Sequence, residues 1–144
     1  SGRPVLGICG GYQMLGHTVS DPDGAEAAAG TTVAGLGLLD LEIAFDPVKH
    51  LATPTASAWG ETVTGYEIHH GRVTGALEAG SVTGTMVHGA LEDDTVRASY
   101  LATALGVRSQ ASFPAARERR LDLLGDLVEE HLDVDALLAL AARP

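Results

Sequence analysis

The sequence holds one cysteine, Cys9, which excludes an internal disulfide and with it a secreted, disulfide-stapled scaffold. It has no apolar run of the length a bilayer-spanning helix needs. No basic segment leads into an apolar stretch at its start, as in a secretory leader. The expected setting is a reducing cytoplasm, away from membranes. Positive charge is scarce: 9 Lys and Arg stand against 19 Asp and Glu, a net charge of −10. A duplex would repel such a chain, which excludes nucleic-acid binding as its main role, and an anionic membrane is disfavoured on the same ground. Also lacking is a Gly-rich stretch ending in Gly-Lys-Ser or Gly-Lys-Thr, the loop that cradles nucleotide phosphates, so these residues carry no ATP step of that kind.

What remains is ordinary globular material of 144 residues, 45% hydrophobic and 19% charged, enough for one domain with its own core. The 18 glycines are scattered, which signals tight turns and close backbone approaches and not a linker. Val5 to Ile8 reads as a buried strand, Cys9-Gly10-Gly11 as a turn, and Tyr12 to Gly16 as a helix start. Ser20 to Gly30, with Asp21-Pro22-Asp23-Gly24, reads as a surface loop. Strands are expected at Leu36 to Phe45, Val48 to Thr55, Thr62 to Ile68 and Ser81 to Val87, with Pro47 and Pro54 as punctuation and His69-His70-Gly71 as a turn. Helices are expected from Asp93 to Leu105, with Asp93 or Asp94 as cap and Gly106 as end, from Pro114 to about His131, and from Ala136 to Ala142 with Asp133 as cap. The fold class is α/β, a mainly parallel sheet with helices on its faces and at the C-terminal end. A buried parallel strand needs neighbours on both sides, so a chain opening on one is expected to be part of a longer polypeptide.

The sharpest feature is Gly7-Ile8-Cys9-Gly10-Gly11. It sets a reactive side chain between glycines where a strand turns into a helix, the logic of a nucleophile elbow with Cys in place of Ser. The turn is strained and calls for glycine where a Cβ would clash. The helix N-terminus behind the thiol favours the thiolate. The Gly10 N–H is placed to receive an oxyanion on an attacked carbonyl. A lone cysteine is more often a buried structural residue, but glycines on both sides at the end of an apolar strand have little structural use for a sulfur.

A cysteine nucleophile needs a base. Of six histidines, His17 and His50 stand in poor context, and His131 ends a helix, where its charge complements the dipole. His88 follows the apolar Thr85-Met86-Val87 and precedes Gly89, at the C-terminal end of a strand, where sites in open α/β sheets collect. It is the candidate base; the bland alternative is a surface histidine at a turn. His69 and His70 either line the site or hold their turn. Metal binding is not expected, because adjacent His69 and His70 point to opposite sides of an extended chain and no other ligand pair has metal spacing.

Gly7-Ile8-Cys9-Gly10-Gly11-Tyr12-Gln13-Met14-Leu15-Gly16 resembles the nucleophile segment of class I glutamine amidotransferases. Gly65-Tyr66-Glu67-Ile68-His69-His70-Gly71 and Gly84-Thr85-Met86-Val87-His88-Gly89 narrow the resemblance to the cobyric acid synthase branch, the cobyrinate-amidase-like enzymes. The stretch from Phe113 to Asp133 resembles that branch's C-terminal end. The resemblance implies a three-layer, flavodoxin-like domain, with residues 1–144 its N-terminally truncated C-terminal portion. It implies Cys9 as nucleophile, His88 as base and Gly10 as oxyanion donor. Gln13, Gly11, Tyr66, His69 and His70 are implied beside bound glutamine.

Glutamine would be hydrolysed to glutamate and ammonia. A separate synthetase domain would use ATP and Mg2+ to activate carboxylates of a corrinoid acceptor, adenosylcobyrinic acid a,c-diamide; no cofactor is implied in this chain. Class I members carry a Glu two residues after the catalytic His. Here that position is Ala90, as in the cobyric acid synthase branch, leaving a dyad unless Glu92 or Glu67 supports His88. The class I oxyanion loop precedes the nucleophile strand, so half of the oxyanion hole is expected outside these residues. Two other readings keep the fold: the amidotransferase of cobyrinic acid a,c-diamide synthase or of a peptidoglycan-precursor ligase, and a non-catalytic interaction domain.

Overall fold

The computed structural model describes residues 2–142, which divide into two compact units, up to Ser109 and from Gln110 on. In the first unit β1 (Val5–Ile8) leads through Cys9 into the short helix α1 (Gly10–Met14). Then come β2 (Thr18–Asp21), β3 (Thr31–Ala34), β4 (Leu41–Ala52), β5 (Thr55–Ala58), β6 (Glu61–Thr64), β7 (Glu67–Gly75), β8 (Glu78–Ala79) and β9 (Val82–Thr85). The unit closes with α2 (Asp94–Leu105).

The strands form three sheets, ordered β1-β9-β8, β3-β2-β4-β7 and β5-β6. Pairing is parallel in β1–β9 and β2–β4, and antiparallel in β2–β3, β4–β7, β5–β6 and β8–β9. The architecture is mixed α/β, and parallel pairing does not predominate among the described residues. The reason lies in connection length. Parallel neighbours need a crossover of a dozen or more residues, whereas the strands between Thr31 and Thr85 mostly follow one another through short turns that favour antiparallel pairing.

Two expected strands, Leu36 to Phe45 and Val48 to Thr55, are replaced by the single long β4. Pro47 does not end it, because it falls where the β4–β7 register shifts, between Phe45 and His50. A residue without an N–H is tolerated at such a bulge. Asp46 secures the bend: its carboxylate accepts from the Val48 N–H at 2.7 Å and from Arg72 Nε at 3.3 Å. The Val48 N–H holds the Asp46 carboxyl below the usual carboxylate range, against partial desolvation, with Arg72 adding to the effect. His69-His70-Gly71, expected as a turn, lies inside β7 because β4 pairs with it on both sides of the register shift, Phe45 opposite Gly71 and His50 opposite His69. The expected loop begins later than Ser20, since Thr18–Asp21 is strand.

The main core gathers Tyr12, Leu15, Leu39, Leu41 and Ile43, all buried, and each large side chain contributes roughly 1.5–3 kcal/mol by leaving water. Tyr12 sets the packing of α1 on the β1–β9 pair. Gly7 and Gly84 are register partners. A Cβ on Gly7 would lie 2.6 Å from Tyr12 Cα, and one on Gly84 would run into the Tyr12 ring. These facing glycines open the slot that lets the helix after Cys9 lie close to the sheet. A second core of Val63, Val87, Ala90 and Val96 seats α2. Its Asp93 cap accepts from Thr95 and Val96, and left-handed Gly106 ends it, both as expected.

The second unit holds α3 (Phe113–His131) and α4 (Val134–Ala141). Ser112 caps α3 by accepting from the Ala115 N–H, with Pro114 in the first turn. Asp133 caps α4 by accepting from the Ala136 N–H at 2.9 Å. His131 stands in the last turn of α3, as the sequence pattern indicates. No helix among the described residues is long and apolar enough to cross a membrane.

Candidate functional site

Cys9 is one of two non-glycine residues with positive φ among the described residues, at φ 50° and ψ −113°. That conformation is strained for a residue with a Cβ, and persists only where neighbours dictate it. Here they do: the Cys9 N–H donates to the Thr85 carbonyl at 2.8 Å, and its carbonyl accepts from the Gln13 N–H at 3.0 Å. The backbone is thus tied to β9 on one side and to α1 on the other. The half-buried thiol makes no capping hydrogen bond, so nothing in the helix end uses it. Of the neighbouring glycines it is Gly7 that sterics require; a Cβ on Gly10 or Gly11 would meet nothing within 4 Å. As the first residue of α1, Gly10 has an N–H without an intrahelical acceptor.

β1 and β9 run parallel as neighbours, with Ile8 opposite Thr85. Cys9 follows one strand end and His88 lies three residues past the other, so both stand at the C-terminal edge of the same pair. The His88 backbone is fixed to Tyr66 by two hydrogen bonds, its N–H to the Tyr66 carbonyl at 2.8 Å and the return bond at 3.2 Å. Gly65 permits this approach, because a Cβ there would overlap the His88 carbonyl oxygen. The two rings stack at 4.9 Å with planes 7° apart, a contact worth about 0.5–1.5 kcal/mol beyond burial. His88 Nε2 is buried and has no hydrogen-bond partner. A buried, unpaired ring nitrogen in a fixed ring is unusual outside a working site. Of the two carboxylates considered for His88, Glu67 is engaged elsewhere: its Oε2 lies 3.0 Å from His50 Nε2. Ala90 is buried in the second core.

A cleft of about 260 Å³ opens at Cys9, with Gly10, Gln13, His69 and His70 in its wall. Gly11, Tyr66 and His88 are not among its lining residues. Gln13 is buried against Gly71, where a Cβ would strike its carboxamide. His69 and His70 use their nitrogens differently. His70 Nδ1–H donates to the Asp46 carbonyl at 2.7 Å and its Nε2 lies 3.8 Å from Glu26. His69 Nδ1–H donates to the Gly71 carbonyl at 2.7 Å. A larger cavity of about 720 Å³, bounded by Tyr12, Trp59, Gly84 and Met86, includes neither Cys9 nor His88.

Glu26, Phe45 and Ile68 complete the cleft, and sequence reading singled out none of them. Glu26 is brought there by Asp21. The buried Asp21 carboxylate accepts from the N–H groups of Gly24, Ala25, Glu26 and Ala27 at 2.7–2.9 Å. The one signal in the sequence was Asp21-Pro22-Asp23-Gly24, whose first aspartate turns the chain back on itself. Burial pushes the Asp21 carboxyl up, but the N–H groups of Glu26, Ala25, Ala27 and Gly24 outweigh it and hold it below the usual range. A carboxyl lowered in the folded state stabilises fully above its unfolded value of about 3.9, and that contribution is lost as pH falls through the lower folded value. Hydrogen-exchange protection of the 24–27 amides should therefore persist down to the ordinary carboxylate range and vanish below it. In Asp21→Asn it should be lost at every pH, and an unchanged acid profile in that variant would refute the anchoring role.

Comparison with known proteins gives the family. Residues 1–102 match the family model described as a CobB/CobQ-like glutamine amidotransferase domain. The chain is 58% identical to the cobyric acid synthase of Mycolicibacterium gilvum (strain PYR-GCK) over 98% of its own length and 30% of the relative's. Cobyric acid synthases of Mycobacterium ulcerans (strain Agy99) and Mycobacterium tuberculosis (strain ATCC 25177 / H37Ra) are each 55% identical over 98% of the chain, covering 30% and 31% of their lengths. The chain thus spans about a third of the length of these relatives.

Proposed function

The chain belongs to the CobB/CobQ-like glutamine amidotransferase domain family, and from that we propose that Cys9 and His88 hydrolyse glutamine to supply ammonia for cobyric acid synthesis. The observation that carries the reading is the backbone of Cys9, held at φ 50° between β1 and α1 with its thiol unused by the fold. His88 takes the thiol proton, and the thiolate attacks the amide carbon of glutamine. The Gly10 N–H receives the oxyanion. His88 then gives its proton to the leaving nitrogen, ammonia departs, and a γ-glutamyl thioester remains on Cys9. Water, deprotonated by His88, attacks the thioester; glutamate leaves and the thiol is restored. Gln13 holds the substrate from the α1 side and His69 and His70 from β7. Tyr66 acts on His88 through the ring stack and not through the cleft.

The relatives' name, cobyric acid synthase, supports assigning the ammonia to an amidation that yields cobyric acid; the acceptor would be adenosylcobyrinic acid a,c-diamide and the setting the cytoplasm. ATP and Mg2+ would act in a synthetase domain, which also binds the corrinoid, and residues 1–144 would be the C-terminal portion of a flavodoxin-like amidotransferase domain. The direct test is labelling by 6-diazo-5-oxo-norleucine, a glutamine-shaped electrophile, followed by intact mass and peptide mapping. One adduct on Cys9, prevented by free glutamine, is expected. A folded full-length protein that is not labelled, or is labelled without glutamine protection, would refute the reading.

A further inference from the structure

Outside the nucleophile machinery, β4 and β7 bring three metal-binding side chains together. The ladder sets His50 directly opposite His69, and Glu67 lies two residues before His69 in the same strand. Residues two apart share a face, as do direct cross-strand partners. The register shift after Phe45 makes this pairing possible, since a slip of one residue would send His50 to the other face. The result is a compact donor set: Glu67 Oε2 lies 3.0 Å from His50 Nε2 and 3.5 Å from His69 Nε2. One donor atom from each of the three residues lies within 4.8 Å of the others.

The state of His69 points to what this set is for. Its Nδ1 faces the Gly71 carbonyl at 2.7 Å, and a carbonyl only accepts, so Nδ1 carries the proton. That leaves Nε2 as a lone pair in the neutral ring. The side chain is 9% exposed, and Nε2 is buried with no hydrogen-bond partner, facing a carboxylate oxygen. A lone pair beside an anion, out of water, is unfavourable unless a positive charge sits between them. A histidine whose other nitrogen donates to a backbone carbonyl is the usual form of a metal-ligating imidazole. Donors about 2.05 Å from a tetrahedral ion stand about 3.3 Å apart, and the two measured separations bracket that value.

We propose that His50, Glu67 and His69 bind a divalent transition-metal ion of the zinc class, through two imidazole nitrogens and one carboxylate oxygen, with a fourth position open to solvent. Imidazole and carboxylate together suit Zn2+ and Co2+ and do not suit Mg2+ or Ca2+, which take oxygen donors. The ion ties β4 to β7 beside the bulge and fixes the His69 ring, which stands in the wall of the Cys9 cleft. Its rival is a second proton on His69, which would make the cluster an ion pair only.

The test uses the full-length protein, stripped with a chelator and titrated with Co2+ as a visible probe. Expected is a tetrahedral ligand-field band that saturates with one equivalent and disappears on adding Zn2+. In His50→Ala and in the near-isosteric Glu67→Gln, Co2+ affinity should fall at least about a hundredfold, while circular dichroism reports an intact fold. In Cys9→Ser the band should remain. A folded wild type without the band, a band unchanged in Glu67→Gln, or a band lost in Cys9→Ser would each overturn the proposal. Should His50→Ala fail to fold, Glu67→Gln alone decides. Because the readout is metal binding, it stands apart from the glutaminase reading.

Discussion

Cys9→Ala should lower glutamine-dependent amidation by the full-length enzyme at least about 10⁴-fold, a barrier increase of roughly 5–6 kcal/mol, while amidation driven by added ammonium proceeds at the wild-type rate. The size follows from what the cleft contains. Gly10, Gln13, Glu26, Phe45, Ile68, His69 and His70 share its wall with Cys9, and none offers a thiol or hydroxyl to take over the attack. Only water remains, without a covalent intermediate. Alanine is the informative replacement because it keeps the Cβ and therefore the strain at φ 50°. The thiol makes no capping bond, so the melting temperature should hardly move. Steady-state rates with glutamine and with ammonium, on the same preparation, separate the outcomes. Parallel loss of both would mean that Cys9 serves the amidation step or the fold and not glutamine hydrolysis alone.

The elbow was legible because all its signals are local. An apolar run, a reactive residue and flanking glycines lie within a few consecutive positions, and strain at Cys9 follows from the turn itself. Helix ends were legible for the same reason: Asp93, Gly106 and Asp133 cap where their chemistry says they should. What escaped is what distant strands decide. Pro47 reads as a strand end, but Asp46 and Arg72 hold the bulge that lets β4 continue through it. His69-His70-Gly71 reads as a turn, but a ladder from β4 keeps it extended. His50 has no neighbour in sequence that makes it a ligand; its partners arrive across the sheet. Glu26 reaches the cleft only because Asp21 gathers four amides behind it. The expectation of no metal rests on spacing along the sequence, which does not reveal that His50 stands opposite His69 across the ladder.

His88→Asn should lower kcat for glutamine hydrolysis about 10²–10⁴-fold, the range lost when a positioned general acid–base is removed. The loss should be smaller than for Cys9→Ala, because the nucleophile and the Gly10 N–H remain. The variant isolates chemistry from position. The backbone of residue 88 is held by its two hydrogen bonds with Tyr66, which do not involve the side chain, so the chain path through Gly89 and Ala90 is expected to survive. Asparagine fits the site but cannot shuttle a proton, and it forgoes the stack on Tyr66. Since the step lost is proton transfer and not binding, kcat should fall with little change in KM, and ammonium-driven amidation should be untouched. The thioester also needs His88 to activate water, so any residual turnover should build up acyl-enzyme, visible by intact mass. A kcat within about threefold of wild type would remove His88 from the mechanism, since that is far below what a general base contributes. The buried, unpartnered Nε2 would then need another explanation.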